Sequence, residues 1–148
     1  MLFDLASSWR GRAVTRQSQD STCDPGSHLI YLRDVRSGLV WSAAYQPVCR
    51  EPESYRVTFR ADEAVFDRSD DGIDTRLEIA VSAEDDVELH RVSLTNNSER
   101  MREIEVTSLV EVVLAPAADD LAHPAFLKLF LETEYRSEEH TSELQSRL

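Results

Sequence analysis

An all-β chain folded as an antiparallel β-sandwich is what three features of the sequence predict. Short stretches alternate apolar and polar residues with period two, turn-forming residues separate them, and no helical periodicity appears before the last part of the chain. At 148 residues there is room for one domain of ordinary size around a single core. Helices that would cover the second face of a parallel sheet are missing, so two sheets facing each other satisfy the pattern where an α/β fold does not. No internal repeat is evident.

A strand is expected at His28–Asp34. In YRVTFR, Tyr55, Val57 and Phe59 alternate with polar residues, and Val65 and Phe66 follow in a short apolar run. Asp70, Asp71 and Gly72 then form a turn into the clearest strand of the chain. There Ile73, Thr75, Leu77, Ile79 and Val81 point one way, and Asp74, Arg76, Glu78 and Ala80 the other. Farther on, Val87 and Leu89 share one phase while Val92 and Leu94 share the other, so a bulge is expected near His90 and Arg91. The stretch 95–100, TNNSER, carries Asn and Ser residues that tolerate turn geometry and is expected to close an antiparallel hairpin. Its second strand would carry Ile104, Val106, Ser108, Val110, Val112 and Leu114 on one face, with Glu103, Glu105, Thr107 and Glu111 opposite. Only after Pro124 does the period change, where Phe126, Leu129 and Phe130 suit one or two helical turns with Pro near the first position.

The balance of 41% hydrophobic and 30% charged residues belongs to a globular protein rather than a disordered one. A formal charge of -12, with 28 acidic residues against 16 basic, excludes a nucleic-acid binder, because phosphate contacts need clustered Lys and Arg. Such a surface tolerates a neutral ligand such as a sugar, although solubility alone also accounts for it. No apolar run approaches the roughly 20 residues of a membrane helix, and MLFDLASSWRGR lacks the pattern of a signal peptide. The chain is therefore expected to be cytoplasmic, without direct membrane contact. Cys23 and Cys49 form no CxxC and no His stands at ligand spacing, so neither a disulfide framework, a metal site nor a cofactor is expected.

Candidate sites are few. Trp41, Tyr45 and Gln46 in WSAAYQP supply aromatic faces and an amide, the equipment for stacking on and hydrogen-bonding to a sugar ring, and are the best contact candidates, although aromatics more often serve packing or interdomain contact. The run Glu84, Asp85 and Asp86 lacks the Gly and spaced oxygens of a calcium loop and reads as a solvated turn. His123, before Pro124, has no nucleophile or metal partner at a recognisable spacing and reads as a bracing residue. Arg33 and Asp34 read as a sheet ion pair or turn residues.

Four segments, VTRQSQDSTCDPGSHLIYLRD, GLVWSAAYQP, VSAEDDVELHRVSLTNNSERMREIEVTSLVEVVLAP and AHPAFLKLF, occur in this order over nearly all of residues 1–135. Together they resemble the N-terminal region of the phosphorylase module of cyclic β-1,2-glucan synthases, a family related to cellobiose and chitobiose phosphorylases. The resemblance implies a galactose-mutarotase-like supersandwich, followed in the complete enzyme by an (α/α)6 barrel that performs inverting phosphorolysis. It implies a β-glucan or gluco-oligosaccharide as ligand, the parent chain's barrel as partner and a homodimeric full-length enzyme, with the parent anchored in the inner membrane in the glucan-synthase case. The family's catalytic acid and phosphate-binding residues belong to the barrel, so none is carried over. After Thr15 and Arg16 the family has a Trp and an acidic pair where Gln17, Ser18 and Gln19 stand here. A free-standing carbohydrate-binding module is the alternative reading.

Residues 136–146, RSEEHTSELQS, resemble one reading frame of a sequencing-library adapter. Residues 136–148 are accordingly expected to be a non-native tail, a native polar linker being the alternative, and 1–135 an incomplete sandwich. The acidity does not come from this tail, where Arg136 and Arg147 nearly balance Glu138, Glu139 and Glu143.

Overall fold

The computed structural model describes residues 6–16 and 27–133. Ten strands and two short helices follow in order among them. The strands are β1 (Ser8–Trp9), β2 (Arg12–Thr15), β3 (His28–Asp34), β4 (Val40–Ser42), β5 (Ser54–Phe59) and β6 (Glu63–Asp70), then β7 (Ile73–Val81), β8 (Glu88–Asn96), β9 (Ile104–Val110) and β10 (Val112–Pro116). The helices are α1 (Ala117–Ala122) and α2 (Pro124–Lys128). All strand pairs are antiparallel, in sheets ordered β5-β6-β7-β8, β4-β3-β9 and β1-β2-β10.

The first two of these sheets form the sandwich. Ile30 and Leu32 of β3 and Trp41 of β4 meet Phe66 of β6 and Ile73 and Leu77 of β7 in one buried cluster. The alternation along β7 explains this directly, because Ile73, Thr75 and Leu77 are buried while Asp74 and Arg76 are exposed. Trp41 is fully buried, and its Nε1–H donates across the core to Thr75 Oγ1 at 3.2 Å. A smaller cluster joins Ala13 of β2 to Val113 and Ala115 of β10, with Leu127 of α2 packed on it.

Between β6 and β7, Asp70 pairs with Ile73 and the two intervening residues make the turn. Asp71 and Gly72 have φ of 47° and 75°, the paired positive values of a type I′ hairpin, which Asp-Gly accommodates. Two arginines anchor the loops. Arg68 and Asp70, both within β6 and both buried, form a bidentate pair at 2.6 and 2.8 Å. The same guanidinium donates to the carbonyls of Ala44 and Arg50, tying the 43–53 loop to the sheet. Arg102 donates to Asp34 Oδ2 at 2.6 Å and to Asp71 at 2.8 and 2.9 Å. Asp34 Oδ1 in turn accepts from the backbone N–H groups of Arg36 and Ser37, while Arg33 faces Glu105 across the sheet at 3.4 Å.

Three expectations are corrected. The β7–β8 register runs unbroken from Ile73↔Asn96 to Val81↔Glu88, so there is no bulge at His90. Val87 and Leu89 are simply solvent-exposed, and His90 shares the inward phase of Val92. Segment 95–100 does not close a hairpin, because β8 and β9 belong to different sheets. The segment crosses the sandwich, and Arg102 fastens its far end to Asp34 and Asp71. Lastly, the single strand expected through Leu114 divides at Glu111, where β9 on β3 gives way to β10 on β2. Register shifts between Val112 and Ala115, Leu114 takes φ of 52°, and Val113 and Ala115 become the buried residues instead. Helix α2 begins with Pro124 at its first turn, as expected, whereas α1 ahead of it has no counterpart in the apolar pattern.

Candidate functional site

On its outer face the four-stranded sheet carries two rows of side chains running across all four strands. One row is Ser54, Ser69, Asp74 and Thr95, and the other is Arg56, Asp67, Arg76 and Ser93, each aligned through the strand registers. These residues enclose an open trough of about 430 Å³. Its hollow has a plain origin. Ser54, Ser69, Ser93 and Thr95 are short, so they leave space beside the long side chains of Arg56 and Arg76. The opposite phase of the same strands points into the core, as Arg68 and Thr75 show.

Charge within the trough balances, with two arginines and two aspartates. Asp67 faces Arg76 at 3.4 Å, and Arg76 also lies 3.6 Å from Glu78. Asp74 accepts hydrogen bonds from Ser69 and, at 2.6 Å, from Asn97 Nδ2. Among the described residues, the side chains of Ser54, Arg56, Ser93 and Thr95 make no hydrogen bond or ion pair with the rest of the chain.

The residues named from sequence lie elsewhere. Trp41 is fully buried in the core and offers no ring face to a ligand. Tyr45 and Gln46 are half-buried in the 43–53 loop, with Gln46 preceding a cis Pro47. Tyr45 donates to Glu51 at 3.4 Å and lies 6.1 Å from the Tyr55 ring, and the Glu51 carboxylate raises its phenolic pKa. Tyr55 alternates with Ser54 and Arg56, which places its ring off the trough face. Glu84, Asp85 and Asp86 form an exposed turn whose backbone is fastened to Ser82 Oγ. His123 lies between α1 and α2, where its N–H donates to the Asp119 carbonyl and its own carbonyl accepts from Phe126 and Leu127. Cys49 is an exposed free thiol, while Cys23 and residues 17–19 fall outside the described residues.

A polar cluster that the alternation did not single out joins the two sheets of the sandwich to the N-terminal segment. His28 Nε2 and Ser108 Oγ are 2.7 Å apart, and the His28 and His90 rings lie 4.3 Å apart. His90 Nε2 bonds Glu88 at 2.6 Å, and Ser7 donates to both oxygens of the same carboxylate. Burial, then the neighbouring His90, lowers the His28 pKa, while the bond from His90 holds Glu88 below the usual carboxylate range.

Comparison with known proteins places this architecture. The family model described as glycosyl hydrolase 94, supersandwich domain, matches residues 6–147. Cyclic beta-(1,2)-glucan synthase NdvB of Rhizobium meliloti (strain 1021) is 39% identical over 126 residues, covering 85% of this chain and 4% of that protein. Solabiose phosphorylase of Paenibacillus borealis is 37% identical over 60% of this chain and 12% of its own length. N,N'-diacetylchitobiose phosphorylase of Vibrio proteolyticus is 32% identical over 66% of this chain and 12% of its own. The chain thus spans a small part of each of these relatives. The antiparallel sandwich and the sequence match agree, and the chain belongs to the glycosyl hydrolase 94 supersandwich family.

Proposed function

We propose that this chain is a non-catalytic, carbohydrate-associated sandwich of an inverting glycoside phosphorylase or cyclic β-1,2-glucan synthase, whose chemistry resides in a barrel elsewhere in the parent polypeptide. Inverting cleavage of a glycosidic bond needs a carboxylic acid that still holds its proton near neutral pH, hence one with a raised pKa. Among the described residues, the three carboxyl groups with a displaced pKa move the other way. Backbone bonding from Ser37, reinforced by Arg102, lowers Asp34, the bond from Arg91 lowers Glu78, and that from His90 lowers Glu88. These directions agree with the reading, but the observation carrying it is the match of residues 6–147 to the supersandwich domain in a chain that spans 4% and 12% of the first relatives' lengths, and the relatives' names supply the substrate class.

On this reading the ligand is a β-glucan or gluco-oligosaccharide, with Tyr45 and Gln46 as contact candidates, and the partner is the parent's barrel within a homodimeric enzyme. It works in the cytoplasm, in a parent anchored to the inner membrane where that parent is a glucan synthase. No helix among the described residues is long and apolar enough to cross a membrane. Residues 136–148 are taken as a non-native tail, which rereading the source DNA beyond codon 135 would test.

The deciding experiment follows release of glucose 1-phosphate from β-1,2-gluco-oligosaccharides and inorganic phosphate by the chain alone, with cello-oligosaccharides as control. No turnover is expected. Phosphate-dependent release by this chain would overturn the assignment of the chemistry to another part of the parent.

A further inference from the structure

From the outer trough of the β5-β6-β7-β8 sheet we infer a binding site for a neutral oligosaccharide lying across the strands. The inference rests on the carbohydrate reading above and adds a location that neither the relatives' names nor the motifs supply. Hydrogen-bonding capacity is the first argument. Ser54, Ser93 and Thr95 offer hydroxyls that both donate and accept, and Arg56 offers a guanidinium with no acidic partner among the described residues. A sugar's hydroxyl groups also both donate and accept, so they match this mixed lining as a purely anionic or purely apolar ligand does not.

Charge gives the second argument. The protein carries -12 overall, yet the trough balances Arg56 and Arg76 against Asp67 and Asp74. Asp67 and Glu78 already engage Arg76, leaving one guanidinium, too little positive charge to favour a phosphate against the surrounding field. Size is the third. Four strands at ordinary spacing span about 14 Å between the outer two, on the order of three pyranose rings laid end to end. The trough is open at the surface, which suits a chain passing over it more than a small molecule sealed within it.

The test is titration of the ¹⁵N-labelled full chain with β-1,2-gluco-oligosaccharides, with cello-oligosaccharides and inorganic phosphate as separate arms. Amide shifts are expected along both rows of the trough, from Ser54 and Arg56 on β5 to Ser93 and Thr95 on β8. Arg56→Ala should weaken binding about tenfold, the loss expected for a charge-assisted hydrogen bond. Ser93→Tyr, which fills the trough from a different strand, should abolish it, and unchanged amide spectra away from the substitution verify that each variant folds. Shifts centred on Tyr45 and Gln46 and insensitive to both substitutions would overturn the site while leaving the carbohydrate reading intact. Binding of inorganic phosphate alone, or of no ligand, would also overturn the site, whereas turnover by the chain would instead sink the non-catalytic reading.

Discussion

His28 and His90 bring two imidazoles within 4.3 Å where β3 meets β8 across the sandwich. Burial disfavours the His28 imidazolium, His90 opposes it further and Glu88 only partly offsets them, so its pKa lies below the ordinary 6.5. The unfolded chain therefore binds more protons than the folded one near and below that value. Stability should fall as pH drops through about 6.5 and level off below the folded-state pKa. Glu88 acts in the same direction at lower pH, because its contribution is present above its ordinary 4.5 and lost as its lowered folded pKa is crossed. Urea midpoints measured from about pH 7.5 to 5 should decline for the native chain and decline less for His28→Gln. Equal slopes would remove His28 from the account. Trp41 makes a second case. Trp41→Phe keeps an aromatic ring but leaves Thr75 Oγ1 buried without its donor, and should cost about 1–3 kcal/mol in denaturant unfolding. Packing was the favoured reading of Trp41 from residue type, but its inward direction could not be read from alternation because β4 has only three residues. His90 was misread for a related reason. Assigning every apolar residue to the core made Leu89 an inward residue, and the strand leaves it exposed.

Strands whose two faces differ sharply were legible, and the links between them were not. β3 and β7 have the bounds expected from the sequence, and β7 follows its own pattern because its core-facing and solvent-facing residues differ in polarity at nearly every step. The crossing from β8 to β9 instead depends on Arg102 finding Asp34, 68 residues earlier, and local turn propensity carries no trace of such a partner. The outer trough shows the same division. The outward phase of Asp74 and Arg76 was readable, but aligning Ser54, Ser69 and Thr95 with them required the cross-strand register. Arg68 and Asp70 make the strongest prediction about how the elements are held. Removing one member of a buried ion pair leaves the other charge uncompensated, so Asp70→Ala should destabilise the chain by about 3–5 kcal/mol. The double substitution Arg68→Met with Asp70→Leu removes both charges and should cost markedly less, which a double-mutant comparison of urea curves will read. If the two variants lose equal stability, uncompensated charge is not the origin of the effect.

Among the described residues, β8 in its sheet and β9 in the other are edge strands with one hydrogen-bonded neighbour each. Apolar side chains accompany these edges, with Leu89 on β8 and Val106, Leu109 and Val110 on β9 all exposed. Phe126, Leu129 and Phe130 add exposed apolar surface around α2. An unpaired strand edge offers a row of backbone donors and acceptors to another chain, and flanking apolar residues strengthen the association. The net charge of -12 opposes close approach, but that repulsion is screened over about 10 Å at 0.1 M salt, whereas edge pairing is a contact interaction. Self-association of the isolated chain should therefore grow with both protein concentration and salt, which sedimentation velocity can follow. Val106→Lys places a charge on the exposed β9 edge strand without removing a buried residue and should shift the distribution toward monomer. A monodisperse monomer at every concentration and salt level, unaltered by this substitution, would show that these edges are protected by the protein's own surface chemistry and do not drive assembly.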